Sequence, residues 1–286
     1  MKLKKCCFRD DKRTGRGLSF FRRKVDFMKD LSNENIIHIK NNNIQYLQFK
    51  RLLQYQNKLK HCYTLKPLDF KNSTKDSDDY KKICKEININ NENIVHPKQT
   101  HTKIVRIVNE DDESSNFDEV DGLITDKKNK ALSLYFADCT ALFLYDPIKN
   151  VIGDIHSGWR GTVQKIGMVA VKKMQEEYNC NPEDIICCIG PTIRQCHFQV
   201  EEDVKDLFMQ AFNDESIIKV GEVVDGKQKY YIDAVKANIN MMKSCGLKEE
   251  NIIDSGICTV CNSDILHSYR TEKQNAGRNA AIMCLI

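Results

Sequence analysis

The chain has 286 residues, 41% of them hydrophobic, and a formal net charge of +4. That length suits one sizeable core or two small domains packed as one. No run of about 18 apolar residues occurs, so no transmembrane helix is expected, and no membrane partner with it.

Residues 1–35 carry a charge of +6, which leaves −2 for the rest of the chain. The fold itself is near neutral, so no nucleic-acid partner is expected outside the tail. The tail has a basic start but no apolar stretch after it, so it does not read as a signal peptide. It also lacks periodicity and caps, and reads as a disordered extension ahead of a domain over 36–286.

From Ile36 the pattern alternates, which predicts one or two strands near 36–49. Residues 58–75 read as a strand and a loop. Tyr80, Ile83 and Ile87 stand at helical spacing, which predicts a helix over 77–88. IVHPKQTHTKIVRIV reads as two strands around a polar centre. NEDDESSNF is a solvated loop, and DGLITD turns into the next strand. ALSLYF, ALFLYD and VIGDIH make a strand-rich middle, with DPIKN as a turn. Thr162 is placed to cap a helix over 163–178. DIICCIG reads as a short strand and EEDVKDLFMQAF as a helix with acids in its first turn. Asp233 caps a further helix closed by Gly246. NIIDSGICTV and GRNAAIMCLI read as final strands. Grouped strands mixed with single helices predict an α+β or layered α/β domain.

Thirteen cysteines, an odd number, scattered through these segments, argue for free thiols in a reducing cytoplasm. Cys139 and His156 stand at the ends of two apolar segments. His156 is followed by Ser-Gly-Trp-Arg-Gly, where glycines permit a tight turn and a close approach of backbone to a ligand. A helix begins there, and its first N–H groups favour an anion. His101, in QTH, is a third polar centre. His101, Cys139 and His156 together would make three N/S ligands with an open fourth position, the pattern of a catalytic zinc. The gaps are long and follow no local motif. By spacing alone each histidine reads sooner as a satisfied surface or core residue than as a ligand, and Cys139 as a small buried hydrophobe.

These segments resemble the YfiH-type laccase-domain family, also called multicopper polyphenol oxidase-like proteins. KQTH (98–101), DGLIT (121–125), ADC (137–139) and HSGWRGT (156–162) carry the resemblance. IGPTIRQCHFQV (189–200), CTVC, HSYR and GRNAA continue it. It spans about 40–286 and leaves the tail outside.

The resemblance implies an α/β/β/α sandwich with mixed sheets, and a zinc bound by His101, Cys139 and His156. It implies a purine nucleoside phosphorylase acting on adenosine, inosine and methylthioadenosine, with adenosine deaminase as a side activity. A purine nucleoside and phosphate would be its partners, and a monomer its default state. The family has also been linked to peptidoglycan editing and described as copper-dependent polyphenol oxidases. One departure stands out: where the family usually carries an arginine after its first strands, HCYTLK places Lys66. A lysine binds phosphate as a point charge rather than as a bidentate fork. The glycine-rich stretch that usually follows is shortened to KPLDFKNS.

On this reading Asp138, beside a zinc ligand, is either the proton shuttle for deamination or a residue that orients the centre. Arg160 and Lys66 are the phosphate-binding candidates, with Arg194 beside them; Arg270 and Arg278 could serve instead. Cys139 as a covalent nucleophile is an alternative that a zinc-bound thiolate excludes. A non-catalytic module with a metal used for binding, in cell-wall quality control, is the alternative from another class. A multicopper oxidase needs many histidines, and the chain has seven; copper would enter as an alternative metal in the zinc site. CTVC (258–261) is a lone C-x-x-C pair and reads as packing cysteines. Cys187, Cys188 and Cys196 read likewise, and His197 as a pocket-lining residue rather than a ligand.

Overall fold

The computed structural model describes residues 29–41 and 43–286. Two six-stranded sheets form the body. The first runs in the order Ile36–Asn41, Ile44–Phe49, Leu59–Thr64, Asn279–Leu285, Ala131–Phe136 and Ile94–Val95. The second runs Ile252–Asp254, Ile186–Ile189, Thr140–Asp146, Val151–Ser157, Gly122–Thr125 and Val105–Ile107. Both are mixed: Ile94–Val95 lies parallel to Ala131–Phe136, and most other pairs are antiparallel.

Strand alternation explains the layering. Tyr63, Leu134, Ala281 and Met283 of the first sheet pack against Ala141, Phe143, Tyr145 and Ile152 of the second. The outward neighbours Cys62, Ile282 and Cys284 meet Tyr80, Ile83, Cys84 and Ile87. Those four line one face of the helix Asp78–Ile87. Leu142, Leu144 and Ile155 meet the helices Ile166–Tyr178 and Ala234–Ser244 through Ala170, Met174, Met241 and Met242. Helix, sheet, sheet, helix is thus the order of layers, an α+β sandwich. Thr140–Asp146 and Val151–Ser157 are buried at every position because both of their faces are covered.

Local signals account for most boundaries. Asp78 and Asp79 sit in the first turn of their helix, and Asn88 ends it in the left-handed region at φ 56°. Asp233 accepts from the Lys236 N–H and starts the helix Ala234–Ser244. The helix expected over 163–178 differs. A short helix, Trp159–Val163, comes first, Lys165 turns at φ 61°, and the long helix begins at Ile166. Thr162 caps nothing, because its hydroxyl donates to the Gly158 carbonyl at 3.0 Å and pairs with Ser157.

A third, small sheet orders Gln199–Val200, Lys227–Ile232 and Ile218–Val224. Its hairpin turns at Asp225 and Gly226, with φ 50° and 73°, the primed-turn conformation that Asp-Gly favours. The first part of the expected extension, residues 1–28, lies outside the described residues. Residues 29–35 pack on the domain: Leu31 is buried, and Asn33 and Asn35 donate to the carbonyls of Ser255 and Asp254.

Candidate metal centre and substrate cleft

Cys139 and His156 meet because their strands are antiparallel neighbours. Ala141 pairs with His156 and Thr140 with Ser157, so Cys139 sits one step beyond the last pair. His101 comes from the loop between Val95 and Val105. Its φ of 64° is left-handed, and one carboxylate holds it there. Asp121, fully buried, accepts from the N–H groups of Thr100, His101 and Thr102 at 3.3, 3.1 and 2.7 Å. The same carboxylate lies 2.7 Å from His156 Nδ1. Both histidines are therefore placed by Asp121, whose role no local signal in DGLIT announces.

The donor atoms of His101, Cys139 and His156 lie within 4.8 Å of one another, and Cys139 Sγ is 3.8 Å from His101 Nε2. Ligands of one tetrahedral zinc sit about 3.3–3.8 Å apart, given bonds of about 2.0–2.3 Å. Gly158 keeps the space open: a Cβ there would stand 2.8 Å from His101 Cδ2 and 3.2 Å from Cys139 Sγ. One nitrogen of His156 is tied back to Asp121, which leaves the other for a metal. The three residues fit a single N/S-bound ion.

Charge is arranged to match. Burial disfavours the Cys139 thiolate, but His156 and His101 outweigh it and bring the thiol down to about 6. Burial likewise disfavours the His156 imidazolium, but Cys139 and Asp121 push it up to about 9. Asp121 is brought down to about 2: burial opposes its charge, and His156 and Thr102 overcome that cost.

The triad opens on a cleft of about 1230 Å³. Phe70, Tyr135, Trp159, Phe198 and Tyr269 supply its aromatic walls, and Lys71, Lys98, Arg160, Arg270 and Arg278 bring positive charge. Arg160 is exposed, with its guanidinium carbon 4.4 Å from the Trp159 ring centroid. No carboxylate pairs with it among the described residues. Arg270 is spent on the wall, donating to the carbonyls of His197 and Gln199. Arg278 donates to the carbonyls of Ala276 and Gly277.

Two expected phosphate contacts lie elsewhere. Lys66 is outside the cleft lining; its ammonium pairs with Glu272 and donates to the Ser263 carbonyl at 2.8 Å. Arg194, also outside the lining, forms a two-pronged pair with Asp254 at 2.8 and 2.7 Å. Both cations are consumed by fold-internal carboxylates that the linear sequence does not place beside them. Asp138 does line the cleft, but its oxygens already accept from the Thr259 hydroxyl at 2.5 Å and the Arg270 N–H at 2.6 Å. That engagement suits it to fixing the Cys139 turn, where its own φ is 85°, rather than to carrying protons.

Residues read as packing form a second group. Cys196, His197, Cys258 and Cys261 bring their donor atoms within 4.8 Å of one another. The signal for it was the C-x-x-C pair; its partners, Cys196 and His197, stand some sixty positions upstream.

The family described as multi-copper polyphenol oxidoreductase laccase matches residues 71–286, and the chain belongs to it. Purine nucleoside phosphorylase YlmD of Bacillus subtilis is 34% identical over 191 residues, covering 64% of this chain and 68% of that protein. A purine nucleoside phosphorylase of Borreliella burgdorferi is 32% identical over 217 residues, covering 76% of this chain and 89% of that one. The structure of the Bacillus licheniformis hypothetical protein YfiH superposes with a TM-score of 0.78 at 23% identity, over 87% of this chain and 99% of that chain. This last likeness shows the sandwich fold. Among the described residues no helix is long and apolar enough to cross a membrane.

Proposed function

We propose that this protein is a zinc-dependent purine nucleoside phosphorylase acting on adenosine, inosine and methylthioadenosine. The observation that carries the reading is the three-donor centre of His101, Cys139 and His156 in an aromatic cleft that also presents Arg160. Relatives named purine nucleoside phosphorylase support it.

In phosphorolysis a phosphate oxygen bonds to the anomeric carbon of the ribose while the glycosidic bond breaks. The base departs with the electron pair and takes up a proton. Aromatic side chains such as Tyr135 and Phe198 offer faces for a purine. Arg160 can hold phosphate with a bidentate fork, and stacking on Trp159 limits where the fork points. His101, Cys139 and His156 would hold the zinc, with Asp121 orienting the His156 imidazole and fixing the backbone turn that carries His101. When bound, zinc would supply a Lewis acid in the cleft.

The test is to incubate metal-analysed protein with adenosine, with and without phosphate, and separate the products. Phosphate-dependent adenine and ribose 1-phosphate, lost in Cys139→Ser, support the reading. Inosine formed without phosphate would replace it with a deaminase. Neither product, with zinc still bound, would favour a module that uses its metal only for binding.

A further inference from the structure

We propose that Cys196, His197, Cys258 and Cys261 form a second zinc site, a closed structural one that staples the wall of the cleft. Cys196 Sγ lies 3.6 Å from Cys258 Sγ and 3.8 Å from Cys261 Sγ. His197 Nδ1 lies 3.2, 3.8 and 3.5 Å from the sulfurs of Cys196, Cys258 and Cys261. A tetrahedron of three sulfurs and one nitrogen around zinc has edges of about 3.5–3.8 Å, given bonds of about 2.0 and 2.3 Å. The five separations scatter around those edges. An iron–sulfur cluster would hold its ligands much farther apart, so the set fits one ion.

Donor type and spacing point the same way. Three thiolates and an imidazole fill all four positions of zinc, the pattern of structural rather than catalytic sites. Cys258 and Cys261 lie across one tight turn. Within that turn Asn262 Nδ2 donates to the Cys258 carbonyl and the Asn262 N–H donates to the Thr259 carbonyl. Cys196 and His197 come from the turn after Arg194, whose carbonyl accepts the His197 and Phe198 N–H groups.

The place in the fold says what the staple would do. Phe198 and Gln199, directly after His197, line the cleft, and Arg270 grips the carbonyls of His197 and Gln199. Thr259, between the paired cysteines, donates to Asp138, the neighbour of Cys139. One closed site thus ties two distant segments together beside the catalytic candidate centre. Its existence does not depend on which reaction the cleft performs.

The test counts zinc per chain by plasma mass spectrometry on protein purified under reductant. The wild type is expected to hold about two and Cys139→Ser about one. Replacing that remaining zinc with cobalt(II) should give the thiolate charge-transfer and visible bands of a tetrahedral thiolate-rich centre. His197→Ala, at a partly exposed turn, is expected to lose the second zinc to a chelator that the wild type resists, while His197→Cys keeps it. The proposal is overturned if the wild type holds one zinc and Cys139→Ser none, or if His197→Ala and wild type release zinc alike. A Cys258–Cys261 disulfide as the main form under reductant would also overturn it.

Discussion

His156 Nδ1 sits 2.7 Å from Asp121 Oδ1, and this contact decides which imidazole nitrogen faces the ligand space. The same carboxylate gathers the N–H groups around His101. Asp121→Asn would turn an NH₂ group toward those donors and weaken both placements. Outer partners of metal ligands are worth about 10–100-fold in metal affinity or activity. A zinc competition titration of Asp121→Asn should show a loss in that range at the triad, with Cys139→Ser as the reference for complete loss. Wild-type affinity in the Asn variant would mean that Asp121 serves only the loop.

Metal uptake at the triad should consume base. Zinc takes a neutral imidazole and a thiolate. With His156 raised to about 9 and Cys139 lowered to about 6, the metal-free pair is imidazolium and thiolate between those values. Zinc must then displace one proton, from His156. Triad affinity should fall about tenfold per unit as pH drops from 9 to 6, and more steeply below 6, where Cys139 also binds a proton. The difference in proton release between wild type and Cys139→Ala, on adding zinc near neutral pH, isolates this site from the second cluster. A difference of zero would contradict the paired ionisation.

Gly158→Ala should damage the centre without replacing a ligand. Its Cβ would stand 2.8 Å from His101 Cδ2 and 3.2 Å from Cys139 Sγ. Overpacking of this kind costs about 1–3 kcal/mol, which is roughly 5- to 150-fold if it falls on metal affinity. Chelator-release rates at the triad, compared with those at the second cluster, would locate the damage. Faster release at both clusters alike would mean general unfolding instead.

The architecture was largely legible because alternation and punctuation are local. The paired strands near 36–49, the helix at 78–87 and the Asp233 cap all follow from signals within a few residues. The hairpin at Asp225–Gly226 carries an equally local signal in its Asp-Gly pair. The triad is legible only through the family resemblance, since nothing in the spacing of residues 101, 139 and 156 announces it. What stayed hidden depended on distant partners. Lys66 looks available until Glu272 comes beside it, and Arg194 until Asp254 does. Asp138 looks like a free acid until Thr259 and Arg270 fill its oxygens. Likewise a lone C-x-x-C pair gains its partners only when residues 196 and 197 fold against it.

That difference in pairing separates two arginine and lysine candidates experimentally. Arg160 faces the cleft and has no carboxylate partner among the described residues, so phosphate would be its counter-ion. Lys66 already has Glu272 and the Ser263 carbonyl. If the phosphorylase reading holds, Arg160→Ala should raise the KM for phosphate by about tenfold or more, the worth of a charge-assisted pair in a partly desolvated cleft. Arg160→Lys should recover only part, because a point charge cannot reproduce the fork. Lys66→Ala should leave the phosphate KM unchanged and instead lower the melting temperature, since it strands a partly buried Glu272 carboxylate. The opposite pattern, a phosphate defect in Lys66→Ala with Arg160→Ala unaffected, would move the anion site to the side of the fold where Lys66 lies. That outcome would require Glu272 to release Lys66 when phosphate binds, a rearrangement that Glu272→Gln should then facilitate.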